Sequence, residues 1–222
     1  MMTMQQQLLA LVTMQFGLQW VEQRSPLVVA QSPSASSEHL MAQLEGNIGF
    51  IFPYTNEQTR AGMIVSPILL HLALSYQLSL YSGSDFNADI PSGLSGTVDH
   101  LLSRAMTQGA TIIPPIVAVV ETKSRERGVS HCLVQMVAAQ QVNACPDPVY
   151  GVVTNGLLWR FLKLEGTTVT IDLTEYPLLS PHSPFASLAL NLVECPATPI
   201  EPLLCLLVPM LRAKGALDTS CL

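Results

Sequence analysis

Apolar positions along this chain recur at two spacings, near 3.6 and near 2, and each change of spacing predicts a passage between helix and strand. Leu8, Leu11, Val12, Gln15 and Phe16 fall at near-helical intervals, which predicts a helix over residues 1–24. Ser and Pro crowd residues 26–37 (PLVVAQSPSASS) and read as a linker. A short helix is expected at 38–44. A longer one is expected to start at Asn56 as N-cap and to run through Glu57 to about Tyr76, with Pro67 inside it. Residues 78–82 fit a strand, the turn-rich 83–95 (GSDFNADIPSGLS) a loop, and 97–103 (TVDHLLS) a second strand.

The clearest strand is 116–121 (IVAVVE), β-branched and apolar on both faces as a central buried strand must be. Residues 129–143 have helical composition, and 149–154, 158–164 and 167–171 predict three more strands. Asn155-Gly156 and Glu165-Gly166 supply hairpin turns between them. The tail, 183–222, is apolar and partly helical, broken by Pro196, Pro199, Pro202 and Pro209. Helices and strands in this order predict an α/β layer fold around one mixed sheet. Three segments are expected: a helical extension and linker over 1–45, a core over 46–182, and the tail.

Composition narrows the picture. Hydrophobic residues make up 49% and charged residues 12%, which excludes disorder for the bulk of the chain and leaves few charges to cover its surface. A homodimer that hides apolar surface is therefore expected. Ten Lys and Arg against sixteen Asp and Glu give a net charge of −6, which excludes a broadly basic nucleic-acid coat and a polybasic membrane binder. The five cysteines are scattered without a C-x-x-C pair, as expected of free thiols in a reducing cytoplasm. The charge-free stretch 61–84 contains Pro67, His71, Ser75 and Gln77, so a buried amphipathic helix and strand are expected there, with no membrane span.

The chemistry gathers where the apolar strand ends. Residues two apart on a strand share a face, so Glu121 and Lys123 project together while Thr122 points away. A carboxylate and an ammonium at the end of a central strand are costly unless they pair or hold a metal. If 97–103 pairs beside 116–121, Asp99 converges with Glu121 on one Mg²⁺ or Mn²⁺, with Lys123 adjacent. Glu57 on the upstream helix is a further candidate ligand. Arg125 and Arg127 are candidates for phosphate contact, and His131 and Gln135, at i and i+4 on one helix face, for contact to substrate or metal. Arg160 and Lys163 read as surface charges.

Asp99 followed by Glu121-x-Lys123, in strand-then-helix order, resembles the restriction-endonuclease-like PD-(D/E)XK nuclease superfamily. Segments NEQTRAGMIVSPILL, SGSDFNADIPSGLSGTVDHLL, VVETKSRERGVSHCLVQMVAAQQVN and VYGVVTNGLLWRFLKLEG resemble an uncharacterised bacterial branch of it, over residues 50–180. The resemblance implies a central mixed four- or five-stranded sheet flanked by helices, and Mg²⁺-dependent cleavage of DNA by Asp99, Glu121 and Lys123. Two departures stand out. No proline precedes Asp99, and His131 and Gln135 occupy positions where relatives of this branch carry Gln and then Glu. The alternative expectation is a catalytically weakened nuclease fold serving as a binding or assembly module.

Overall fold

The computed structural model describes residues 4–25, 27, 38–51, 56–89, 91–105, 111–123, 125–143, 147–178, 207 and 210. The linker expected at 26–37 thus lies outside the described residues apart from Leu27. So does the tail expected at 183–222, apart from Leu207 and Met210, which are buried in the core.

Two strands with no exposed residue form the middle of the fold, β4 (Ile116–Thr122) and β5 (Val149–Thr154). They pair in parallel from Ala118↔Tyr150 to Thr122↔Thr154, and the crossover that parallel neighbours need is the helix α5 (Arg125–Asn143). Outward from β4 come β3 (Leu94–Ser103) and then β2 (Ser79–Asp89), each antiparallel to its neighbour. Outward from β5 come β6 (Leu158–Glu165) and β7 (Thr168–Asp172), also antiparallel. The strand β1 (Gln19–Gln23) closes that edge parallel to β7, and the two-residue β8 (Tyr176–Pro177) adds to β6. The described residues therefore form an eight-stranded mixed sheet, wider than the four or five strands expected.

Helices cover both faces, which is why the central strands are apolar apart from Glu121, Thr122 and Thr154 at their ends. On one face α2 (Glu38–Ile51) and the helical stretch from Glu57 to Tyr76 pack Leu40, Leu44, Ile64 and Ile68 against Val120, Val152 and Phe161. On the other, α1 (Met4–Gln15) and α5 pack Val12, Leu133 and Met136 against Val119, Val153 and Leu162. An α/β fold with a mixed sheet flanked by helices is the expected class.

Four elements differ from the sequence reading. The helix expected over 1–24 ends at Gln15, because Gly17 takes a left-handed conformation (φ 62°) and the Leu18 amide donates back to the Thr13 carbonyl at 2.9 Å. The chain then becomes β1, a largely exposed edge strand without apolar alternation, paired with a distant segment. Residues 83–95 are mostly strand: β2 continues to Asp89 and β3 begins at Leu94. This ribbon is exposed along much of its length, so polar residues and glycines hide its period. The helix expected at 38–44 continues to Ile51.

The fourth difference lies inside the helix that Asn56 caps, its Oδ1 accepting the Thr59 amide hydrogen at 2.8 Å. The stretch consists of α3 (Glu57–Arg60), a π-turn over Ala61–Val65, and α4 (Ser66–Tyr76). Pro67 has no N–H to offer the Met63 carbonyl four residues back. Asn47 of α2 donates to that carbonyl through Nδ2 at 2.7 Å, so the backbone remains satisfied and the helix continues.

Candidate active site

The antiparallel register His100↔Val120 brings Asp99 of β3 beside the end of β4. There the Thr122 amide donates to Asp99 Oδ2 at 2.8 Å, which ties the two strand ends together. Glu121, the next residue back, is fully buried. Lys123, the residue after β4, donates through Nζ to Glu121 Oε1. The helix α5 lies against β4 and β5 closely enough for Gln135 Nε2 to donate to Glu121 Oε2 at 3.2 Å. The same nitrogen reaches the Thr97 carbonyl at 3.4 Å. Lys123 and Gln135 thus engage the two oxygens of Glu121, at a place where β3, β4 and α5 meet.

Burial pushes the Glu121 carboxyl above the usual glutamate range, and the neighbouring Asp99 charge adds to the rise against the opposing pull of Lys123 and Gln135. For Lys123, burial acts downward, but the hydrogen bond to Glu121 and the charges of Glu121, Asp99 and Glu57 prevail and hold the ammonium above its ordinary value. Lys123 is a fixed cation at neutral pH. His131, one turn before Gln135 on α5, stands exposed at the rim; desolvation and then the Lys123 charge lower its pKa, with Asp99 opposing them. It is largely neutral at pH 7.

Asp99, Glu121, Lys123 and Gln135 are therefore brought together, and His131 and Glu57 lie close enough for their charges to couple to Lys123. Among the described residues, no three His, Cys, Asp or Glu side chains group closely enough to hold a metal ion, so Glu57 does not join the two carboxylates in a three-donor set. Arg125 and Arg127 open α5, and their side chains lie outside the described residues.

Two carboxylates and an amide oxygen are hard donors. Mg²⁺ takes hard oxygen ligands, often one or two carboxylates completed by water and substrate phosphate. Asp99 and Glu121 are the carboxylates that would hold such an ion. Gln135 Oε1 is buried with no hydrogen-bond partner, the mark of an acceptor that a bound cation or its water would satisfy. Cys132, on the same helix, is fully buried, and burial pushes its thiol pKa strongly upward, so it is no nucleophile.

The sequence reading missed two contributors that no spacing rule reveals: the Thr122 amide on Asp99 and the Thr97 carbonyl under Gln135. It also placed Arg160 on the surface. Arg160 is only 8% exposed and pairs through Nη2 with Glu175 Oε1 at 2.9 Å, because β6 is covered on both faces. Lys163, by contrast, is a partly exposed charge paired with Glu165.

Compared with known proteins, the chain matches no family model and no curated relative. Among the described residues no helix is long and apolar enough to cross a membrane.

Proposed function

We propose that this protein is a metal-dependent nuclease that hydrolyses phosphodiester bonds in DNA, with Asp99 and Glu121 as ligands of Mg²⁺ or Mn²⁺ and Lys123 as the cationic partner of the phosphate. The observation that carries this reading is the buried Glu121, clamped between Lys123 and Gln135 beside Asp99 at the end of an otherwise apolar central strand. A buried carboxylate costs stability unless it is paired and hydrogen-bonded, and one held at a strand end beside a second carboxylate and a fixed cation is the arrangement expected of a reactive site. A divalent cation, when bound, supplies Lewis-acid polarisation of the scissile phosphate and charge neutralisation. Lys123, held protonated by its neighbours, stabilises the extra negative charge that builds on the phosphoryl oxygens as a point charge. Gln135 positions Glu121, and the Thr122 amide positions Asp99. His131 at the rim offers a neutral imidazole to the substrate.

The test is nicking of plasmid DNA by the purified full chain in Mg²⁺ or Mn²⁺. Asp99→Asn and Lys123→Ala are expected to abolish it, and Asn at position 99 retains an oxygen for the Thr122 amide, so the strand tie survives. Cleavage at wild-type rates in both variants overturns the assignment.

A second reading, a nuclease-like scaffold that binds without cutting, is favoured by the engagement of both Glu121 oxygens by protein donors. It predicts no calorimetric binding of Mg²⁺ or Mn²⁺ and no scission.

A further inference from the structure

A cavity of about 220 Å³ opens where β4 and β5 end and β6 begins, lined by Lys123, Asn155, Leu158, Trp159, Arg160 and Glu175. Its wall is shared with the candidate active site through Lys123, whose ammonium meets Glu121. Arg160, more than nine-tenths buried, lines it with a planar guanidinium that Glu175 Oε1 holds at 2.9 Å through Nη2. Two cations therefore line a small concavity, each held by a carboxylate, Lys123 by Glu121 and Arg160 by Glu175. The volume falls below the roughly 300–1,000 Å³ of sites that enclose a whole drug-sized ligand. It suits one group of a larger substrate.

We propose that this cavity is a subsite for a phosphoryl group of the substrate strand, adjacent to the phosphate that reacts at Glu121 and Lys123. The inference rests on the nuclease reading and names how the strand is held. Arg160 supplies the fork that matches phosphate oxygens, and Glu175 keeps that fork oriented when the cavity holds no phosphate. Leu158 gives the sugar an apolar wall. Because Lys123 belongs to both places, a phosphate seated here fixes its neighbour along the strand at the carboxylates. The group is either an internal phosphodiester or a terminal phosphate, which share this chemistry.

The experiment uses the full chain in EDTA, so that nothing is cut. Binding of a short single-stranded oligodeoxynucleotide is followed by fluorescence anisotropy, with and without a 5′-phosphate, for wild type, Arg160→Gln and Glu175→Gln. Arg160→Gln is expected to weaken binding roughly tenfold, the loss of one charge-assisted contact. Glu175→Gln removes the competing carboxylate and is expected to tighten binding, and inorganic phosphate competes in wild type alone or more strongly than in Arg160→Gln. A gain on 5′-phosphorylation identifies a terminal phosphate, and equal affinity an internal one; both support the subsite. Unchanged affinity in both variants overturns it, and Glu175→Gln alone decides should Arg160→Gln fail to fold. Cleavage with Mg²⁺ separates the two readings. Wild-type scission with an unaltered KM in Arg160→Gln removes the subsite and leaves the nuclease. Arg160-dependent binding without scission removes the nuclease and leaves the subsite.

Discussion

Gln135 on α5 donates through Nε2 to Glu121 Oε2 on β4 at 3.2 Å, while its own Oε1 is buried without a partner. The crossover helix is thus both a packing element and the support of the most buried charge in the candidate site. Two kinds of energy meet there: apolar burial that brings α5 onto the strands, and a carboxylate that such burial makes costly.

That cost makes a prediction about pH. Burial raises the folded-state pKa of Glu121 above its ordinary 4.5, so from pH 4.5 up to the raised value the folded chain binds more protons than the unfolded one. Stability from this group is therefore full below pH 4.5 and falls as pH rises through that window. Glu121→Gln, in metal-free protein, is expected to melt about 2–4 °C above wild type at pH 7, with the gap closing on acidification toward pH 4.5. Lys123 is partly exposed and can be solvated when its partner is neutral. Thermal melts across pH decide the matter; a gap that widens on acidification contradicts the assignment. The same variant is expected to lose metal binding, the pattern of a residue retained for chemistry at the expense of stability.

The converse change separates a clamped carboxylate from an indifferent one. Lys123→Met leaves Glu121 buried without its cation, and the expected loss is about 2 kcal/mol, below the full value for a buried pair because Lys123 is a third exposed. Glu121→Gln in the Lys123→Met background should recover most of that loss in urea denaturation. A loss that persists in the double variant assigns it to the lysine stem instead.

How much of this was legible in the chain depended on burial and range. The strand IVAVVE and its end charges were readable because two buried faces leave little room for polar residues, so Glu121 stood out against its neighbours. The N-cap at Asn56 was readable because it is a local hydrogen bond. The strand β1 was not, since its partner β7 lies far along the chain and its exposed side chains carry no period. The burial of Arg160 is hidden in the sequence for a related reason: alternation on β6 gives the face of a residue, while only the layer packed on that face says whether it is buried.

The Pro67 site yields a prediction independent of function. Asn47 Nδ2 satisfies the Met63 carbonyl that Pro67 cannot, so Asn47→Ala is expected to cost about 1–2 kcal/mol. Pro67→Ala restores a donor at position 67, and in that background Asn47→Ala should cost measurably less. Chemical denaturation of the four proteins gives the coupling directly. Additive losses would show that Asn47 acts through its other packing contacts.

The seating of α5 supplies the last prediction. A Cβ on Gly151 of β5 would lie 2.4 Å from Met136 Sδ and 2.8 Å from Cys132 Sγ, both on the buried face of α5. Methionine is flexible, but Met136 is fully enclosed, and the cysteine has no length to give. Gly151→Ala must therefore lift the helix, at an expected cost of about 1–3 kcal/mol. Gln135 precedes Met136, so the lift also lengthens the 3.2 Å bond to Glu121 and should lower metal affinity more than the fold. Met136→Ala added to Gly151→Ala opens one of the two contacts, and the double variant is expected to be more stable than the sum of the single losses, by about 0.5–3 kcal/mol. Cys132 still blocks full recovery. Strict additivity in denaturation, with metal affinity untouched, would mean that α5 does not hold Glu121 through this close approach.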